Sequence, residues 1–294
     1  MAISDAQLSY ETHVAFYMNL GSLSGDAQQD APYLRQAEHM HVLCVIDALL
    51  ALYGDATVLS QKMRMADADL HLRFGVARRI HHIWLSLREL VNIIDPSRDE
   101  ALPRQFVHEA ERSLNVIYIN IRGALDNFAW CLKAACEREG AKRLSPIQTN
   151  IFRDDFQAAV QIDGLPEFTK QFSGWIEELA SRRDPAAHRI PLSIPPAIID
   201  ANSRDEYHRV SSAYDAAIKM ALSAHDDPKR FGHFEAAEAL HEQLERVGAF
   251  HPVFYHHPDE GFIRIYPTVP EDAGMLVRVC RGLTQFVGQF AART

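Results

Sequence analysis

LPRQFVHEAERSLNVIYINIRGALDNFAWCLKAACE, residues 102–137, is the stretch whose reading decides the fold. Phe106, Ala110, Leu114, Ile117, Ile121, Leu125, Phe128, Leu132 and Ala135 recur at steps of three and four. Residues so spaced share one side of a helix, so the run predicts a long amphipathic helix with a single buried stripe. Gly140 is a natural terminator. Asp126 and Asn127 interrupt the stripe. Two readings stay open for them: one of the pair turns toward a functional cleft, or both mark a face that meets water or a partner.

Upstream, Leu43, Ile46, Leu50 and Tyr53 keep helical spacing from Pro32 onward, with Gly54-Asp55 as a stop signal. A second helix is expected over 56–74. A third follows Gly75, with Ile80, Ile83, Trp84, Leu87, Leu90, Val91 and Ile94 on one stripe and Asp95-Pro96-Ser97 ending it. Residues 1–30 read as a loosely attached lead-in with a short helix around 13–20. Downstream, a helix beginning near Pro166 carries Phe168, Phe172, Trp175, Ile176 and Leu179 on one face. Prolines 191, 195 and 196 make 190–199 an extended crossing segment. Helices are expected over 203–224 and 231–247. The segments 251–255 and 262–266 flank a Pro-Asp-Glu-Gly turn and predict a β-hairpin, before a last helix over 271–290. The expected fold is mainly α: a helical bundle with a small C-terminal β-hairpin.

The chain has 294 residues, 47% of them hydrophobic, and a net charge of -9. That is enough apolar material for a large core, and too acidic a whole for a broad nucleic-acid-wrapping surface, although a local basic pocket is compatible with it. Cys44, Cys131, Cys136 and Cys280 form no CxxC pair and read as free thiols in a reducing compartment. The first ten residues lack a secretory pattern. The apolar stretch 42–53 contains Asp47 and is shorter than a bilayer crossing needs. A cytoplasmic location without membrane contact is the expectation.

No phosphate loop, dinucleotide fingerprint, nucleophile elbow or His-Glu-x-x-His is found in the sequence. The histidine pairs 39/41, 81/82 and 256/257 cannot chelate one ion from a regular helix, because their members point to different faces. Glu238-Ala239-Leu240-His241 is a lone Glu-x-x-His match without the second that a di-iron bundle requires. Neither a metal nor a cofactor is expected. Trp84, Trp130 and Trp175 read as core residues. The aromatics Phe254, Tyr255, Phe262 and Tyr266 either stack bases or pack on a neighbouring helix.

The segment Arg182-Arg183-Asp184-Pro185-Ala186-Ala187-His188-Arg189 concentrates positive charge around one histidine in an acidic chain. The bare Arg-x4-6-His spacing is weak, since it also matches at Arg35/His41, Arg64/His71 and Arg246/His251. This copy has a polar residue directly after its arginine and closes the second of two plausible paired helices. In both respects it resembles the Arg-polar-x-x-x-His signature of the HEPN superfamily, helical domains of many prokaryotic toxins, phage-defence proteins and CRISPR-associated ribonucleases.

The resemblance covers about residues 100–190 and implies a HEPN-like helical core. It implies metal-independent RNA cleavage, in a toxin or defence setting, by Arg183, Asp184 and His188, with Arg182 and Arg189 binding phosphate. It also implies a homodimer whose two motifs share a cleft. The chemistry is coherent: a histidine moves a proton and an arginine stabilises phosphoryl charge. On a regular helix, however, residues five apart lie about 140° apart around the axis. The Asp184-Pro185 step predicts a bend that would bring them together, with Asp184 capping a new short turn. The alternative is a non-catalytic, dimeric helical interaction protein in which Arg182 and Arg183 pair with Glu177 and Glu178. The expected division is a lead-in over 1–30, N-terminal helices over 31–99, the HEPN-like core over 100–190, and the crossing segment, helices, hairpin and final helix over 191–294.

Overall fold

The computed structural model describes residues 3–136, 144–188, 190–223, 230–257, 259 and 261–292. The protein is mainly helical, with eleven α-helices and one two-stranded antiparallel hairpin among the described residues. In chain order the helices are α1 (Tyr10–Asn19), α2 (Ala27–Lys62), α3 (Ala66–Leu70), α4 (Arg78–Ile93), α5 (Arg104–Cys136), α6 (Asp154–Val160), α7 (Leu165–Lys170), α8 (Ser173–His188), α9 (Arg204–Ser223), α10 (Arg230–Leu244) and α11 (Thr268–Ala292). The strands are β1 (Val253–Phe254) and β2 (Ile263–Arg264), with Phe254 opposite Ile263.

Helix α5 is the long element expected from its periodicity. Its stripe of Ala110, Leu114, Ile117, Ile121, Leu125, Phe128 and Leu132 is fully buried, whereas Phe106 is exposed. Helices α4, α8 and α11 pack around it, and α2 lies against α4 and α11. The expected terminator Gly140 lies outside the described residues. The crossing segment is extended as expected and is stitched to α5. Asn115 exchanges two hydrogen bonds with the Leu192 backbone, at 2.9 and 3.0 Å. Glu111 accepts from the Ile194 N–H at 3.0 Å. Helices α9 and α10 pack chiefly on each other.

Three local expectations are corrected. Gly54 does not stop α2, which runs on to Lys62. An interior glycine costs about 1 kcal/mol, and burial of Leu49, Leu52, Ala56 and Ser60 along the same face outweighs it. The helix expected over 56–74 is therefore the tail of α2, then α3, then a π-helical turn at His71–Ala77. The helix expected from Pro166 is divided into α7 and α8. By length and composition α2 could cross a membrane, but its face bearing Val42, Val45, Leu49 and Leu52 lies in the bundle core.

The lead-in is docked, not loose. Leu8 is buried, and its carbonyl accepts from His41 Nε2 at 3.1 Å. His13 Nε2 donates to the Gln7 carbonyl at 3.0 Å, and the Tyr10 N–H donates to Glu271 at 2.5 Å. The His13 and His41 rings lie 5.6 Å apart. Nearby, Glu38 is buried and ion-paired with Arg264. Burial, with help from His13, pushes the His41 imidazole down to about 4.

Two stability predictions follow from these contacts. Above pH 6.5 His41 is neutral folded or unfolded. As pH falls from about 6.5 to 4, only the unfolded chain takes up the proton, so His41 removes up to about 3 kcal/mol of stability. Burial raises the carboxyls of Glu38 and Glu271, which act in the opposite sense. Urea titrations across that window should show stability declining more steeply with acid in the native chain than in His41→Gln. The second concerns Asp272, which is buried and accepts from Tyr118, Trp175 and Arg182. Asp272→Ala strands the Arg182 charge and should cost about 3–5 kcal/mol by urea denaturation.

Candidate functional site

The Arg-Asp-Pro segment does not begin a new turn. Helix α8 continues through Pro185 to His188. A proline inside a helix loses one backbone hydrogen bond, but here its ring is buried, and the turn before it is held by Arg182. The guanidinium of Arg182 grips Asp272 with two hydrogen bonds at 2.9 Å, with Glu178 3.5 Å away on its outer side. Burial opposes the Arg182 charge, but Asp272 outweighs it and holds the group above its ordinary value. The structure thus places Nε and Nη2 of Arg182, expected to bind phosphate, on a buried carboxylate.

Arg183 takes the other direction. Its Nη1 donates to Asp184 Oδ1 at 2.9 Å, and its side chain is a quarter exposed. It also acts electrostatically on Asp126 of α5. Arg189 and the side chain of His188 lie outside the described residues. The unbroken helix leaves backbone positions 183 and 188 about 140° apart around the axis, so these two positions of the motif serve different sides of α8.

Asp126 is the centre of a cluster that the sequence only partly discloses. Burial raises its carboxyl, while Arg122, Arg183 and Arg79 pull it back down. Arg122 Nε is 3.3 Å from Asp126 Oδ1. Arg79 Nη1 donates to Asn120 at 3.1 Å. The charges of Arg79 on α4, Arg122 on α5 and Arg183 on α8 thus all act on this one carboxylate, which Arg122 contacts directly, and a concentration of guanidinium charge suits an anion. Asn127 faces inward to His71, at 3.4 Å. Asp126 feels the charge of Arg183 and is also 38% exposed to water, so it has features of both readings of this pair.

Two glycines allow the helices to come this close. A Cβ at Gly123 would overlap the Arg79 guanidinium, and one at Gly75, in the π-helical turn, would overlap the Asn127 side chain. π-Helical turns of this kind are frequent at functional sites. Arg79 and Arg122 were not singled out from sequence. The available signal was Gly123 within a buried stripe, where a small residue marks close approach.

Of the tryptophans expected in the core, Trp84 and Trp175 are partly buried and pack against it. Trp130 is half-buried, stacked with His71 at 5.6 Å and capped by Lys133 at 4.5 Å. Trp84 carries Arg88 over its ring at 4.6 Å, and Trp175 donates to Asp272 at 3.0 Å. In the hairpin Phe254 and Tyr266 are buried, and Phe262 is exposed beside Tyr255. Among the described residues, no group of three or more His, Cys, Asp or Glu side chains could hold a metal ion.

No family model, curated protein or solved structure matches the chain.

The two glycines make separable predictions. In Gly123→Ala the obstructed atoms are the far end of a flexible side chain, so the guanidinium can swing away at a cost below about 1 kcal/mol. In Gly75→Ala the clash extends to Asn127 Cβ, which cannot move without its helix, and about 1–3 kcal/mol should be lost. Thermal melts of both variants against the native chain check the order.

Proposed function

We propose that this is a HEPN-like protein that binds and cleaves RNA without a metal or cofactor, acting in the cytoplasm as a homodimer in a toxin or phage-defence role. The observation that carries the reading is that Arg122 contacts Asp126 at 3.3 Å and that the charges of Arg183 and Arg79 also act on that carboxylate. It gives a net-acidic chain a concentrated cationic point beside the motif. Arg183 would stabilise charge on the phosphoryl oxygens, Asp184 would hold its guanidinium in place through their 2.9 Å contact, and His188 would transfer a proton.

One observation favours a second reading, a non-catalytic dimeric interaction module. The continuous α8 separates positions 183 and 188 around its axis, so the motif does not close on itself by helix geometry alone.

The same experiment addresses both. End-labelled single-stranded RNA is incubated in EDTA with the native protein, Arg183→Gln and His188→Ala. The expected result is cleavage by the native protein and a loss of about a hundredfold or more in each variant. Arg183→Gln should also weaken RNA binding and lower the slope of log affinity against log salt by about 1. Binding without cleavage selects the second reading in an RNA-binding form. Neither binding nor cleavage overturns the RNA assignment.

A further inference from the structure

We propose that the outer face shared by α2 and α4 is the surface on which a second copy of this chain docks, across a two-fold axis running along the seam between the two helices. The inference gives the homodimer of the reading above its interface. It rests on that part of the reading and not on RNA cleavage, since the motif-bearing α8 supplies no residue to this face.

Single exposed leucines are ordinary, but here large apolar side chains gather on adjacent elements. Leu43 and Leu50 of α2, Phe74 of the π-helical turn and Leu85 of α4 are each 44–50% exposed. Leu43 and Leu50 are seven residues apart and stand in one row, turned away from the core row of Val45, Leu49 and Leu52. On α4 the outward row is Arg78, Leu85 and Arg88, while Ile80, Ile83 and Leu87 are buried.

Two contacts set the register of the helices. The Tyr53 and His81 rings lie 5.0 Å apart, and His39 Nδ1 lies 3.6 Å from Asp95 Oδ2 just past the end of α4. The earlier residue of α2 thus meets the later part of α4, so the two helices run antiparallel. Counted from either contact, Leu50 stands level with Leu85, and Asp47 with Arg88, to within one residue. Rings close the seam between the helices: His81 stacks on Trp84 at 5.5 Å, and Arg88 lies over the Trp84 ring at 4.6 Å.

The charges select the occupant. Asp47 and Arg88 are exposed and enter no ion pair among the described residues. A lipid surface or a wholly apolar partner would take both out of water without compensation. A second copy turned about an axis parallel to the helices lays its α2 on α4 and its α4 on α2, and keeps every residue at its own level. Asp47 of each copy then meets Arg88 of the other, and Leu50 of each meets Leu85 of the other. Every contact is made twice, as a closed two-fold interface requires. The apolar pairs supply affinity, and the charge pairs fix register and exclude other partners.

The test is sedimentation velocity of the full-length chain over a concentration series at physiological ionic strength. The native chain should be a dimer. Leu50→Glu should raise its dissociation constant about a hundredfold or more, with helicity by circular dichroism unchanged, because Leu50 is half exposed in the single chain. Asp47→Arg and Arg88→Asp each place like charges at both contacts of their own dimer and should weaken it about tenfold or more. Mixed in equal amounts, these two variants should associate with native affinity, because each contact again joins opposite charges. A charge pair within one chain could not produce recovery on mixing. A mixture that does not recover overturns the two-fold pairing. A native dimer that persists in all three variants overturns this face and leaves the homodimer standing. A native chain that stays monomeric removes the homodimer and this face together, and flotation of that monomer with phosphatidylcholine–phosphatidylserine vesicles would give the face to a membrane instead. None of these readouts depends on RNA cleavage, so failure of that reading is seen separately.

Discussion

A single buried carboxylate ties the candidate site to the fold. Asp272 of α11 accepts one hydrogen bond from Tyr118 of α5, one from Trp175 of α8 and two from Arg182 of α8. A charge taken out of water is tolerated only when it is paired and its hydrogen-bonding capacity is filled. Here both conditions are met by donors from two other helices. If α8 rotated or slid, Asp272 and Arg182 would be left unsatisfied together. The angle at which α8 presents its last two turns is therefore set by this contact.

Arg182 and Arg183 are adjacent in sequence and opposite in role because of that contact. Successive helix residues point about 100° apart, so fixing one inward directs the next elsewhere. Arg182 is bound to α11, and Arg183 reaches toward Asp126 and Asp184. Position 184 then falls toward the hairpin. One helix end thereby serves two surfaces: the arginine cluster with α4 and α5, and the cleft with the hairpin. The close approach of helices that builds the cluster rests on Gly75 and Gly123, where side-chain atoms from the facing helix occupy the space of a missing Cβ.

The sequence was a good guide wherever a single element's own pattern decided the outcome. The stripe from Ala110 to Leu132, the extended segment around Pro191, Pro195 and Pro196, and the alternating aromatic segments of the hairpin all took the expected form. It was a poor guide at Gly54, at Pro185 and in the lead-in. Breaker residues lower the local preference for helix by amounts that buried contacts can exceed. At Gly54 the core face of α2 continues past the glycine. At Pro185 the Arg182 contact fixes the turn before it, and the ring itself is buried. Leu8 and His13 pack with His41, which stands 33 residues beyond Leu8, and no local pattern advertises such a contact.

What the sequence by itself determined is the helical class, the long α5, the position of the hairpin and the concentration of positive charge over residues 182–189. Those follow from periodicity, turn chemistry and local charge, which act over a few residues. Only the tertiary structure decided that Arg182 pairs with the buried Asp272 while its neighbour Arg183 pairs with Asp184. It showed that α8 continues past its proline, and that the charges of Arg79 and Arg122 act with that of Arg183 on Asp126. The physical reason is that burial and charge pairing depend on which helices meet, and Asp272 is separated from Arg182 by 90 residues.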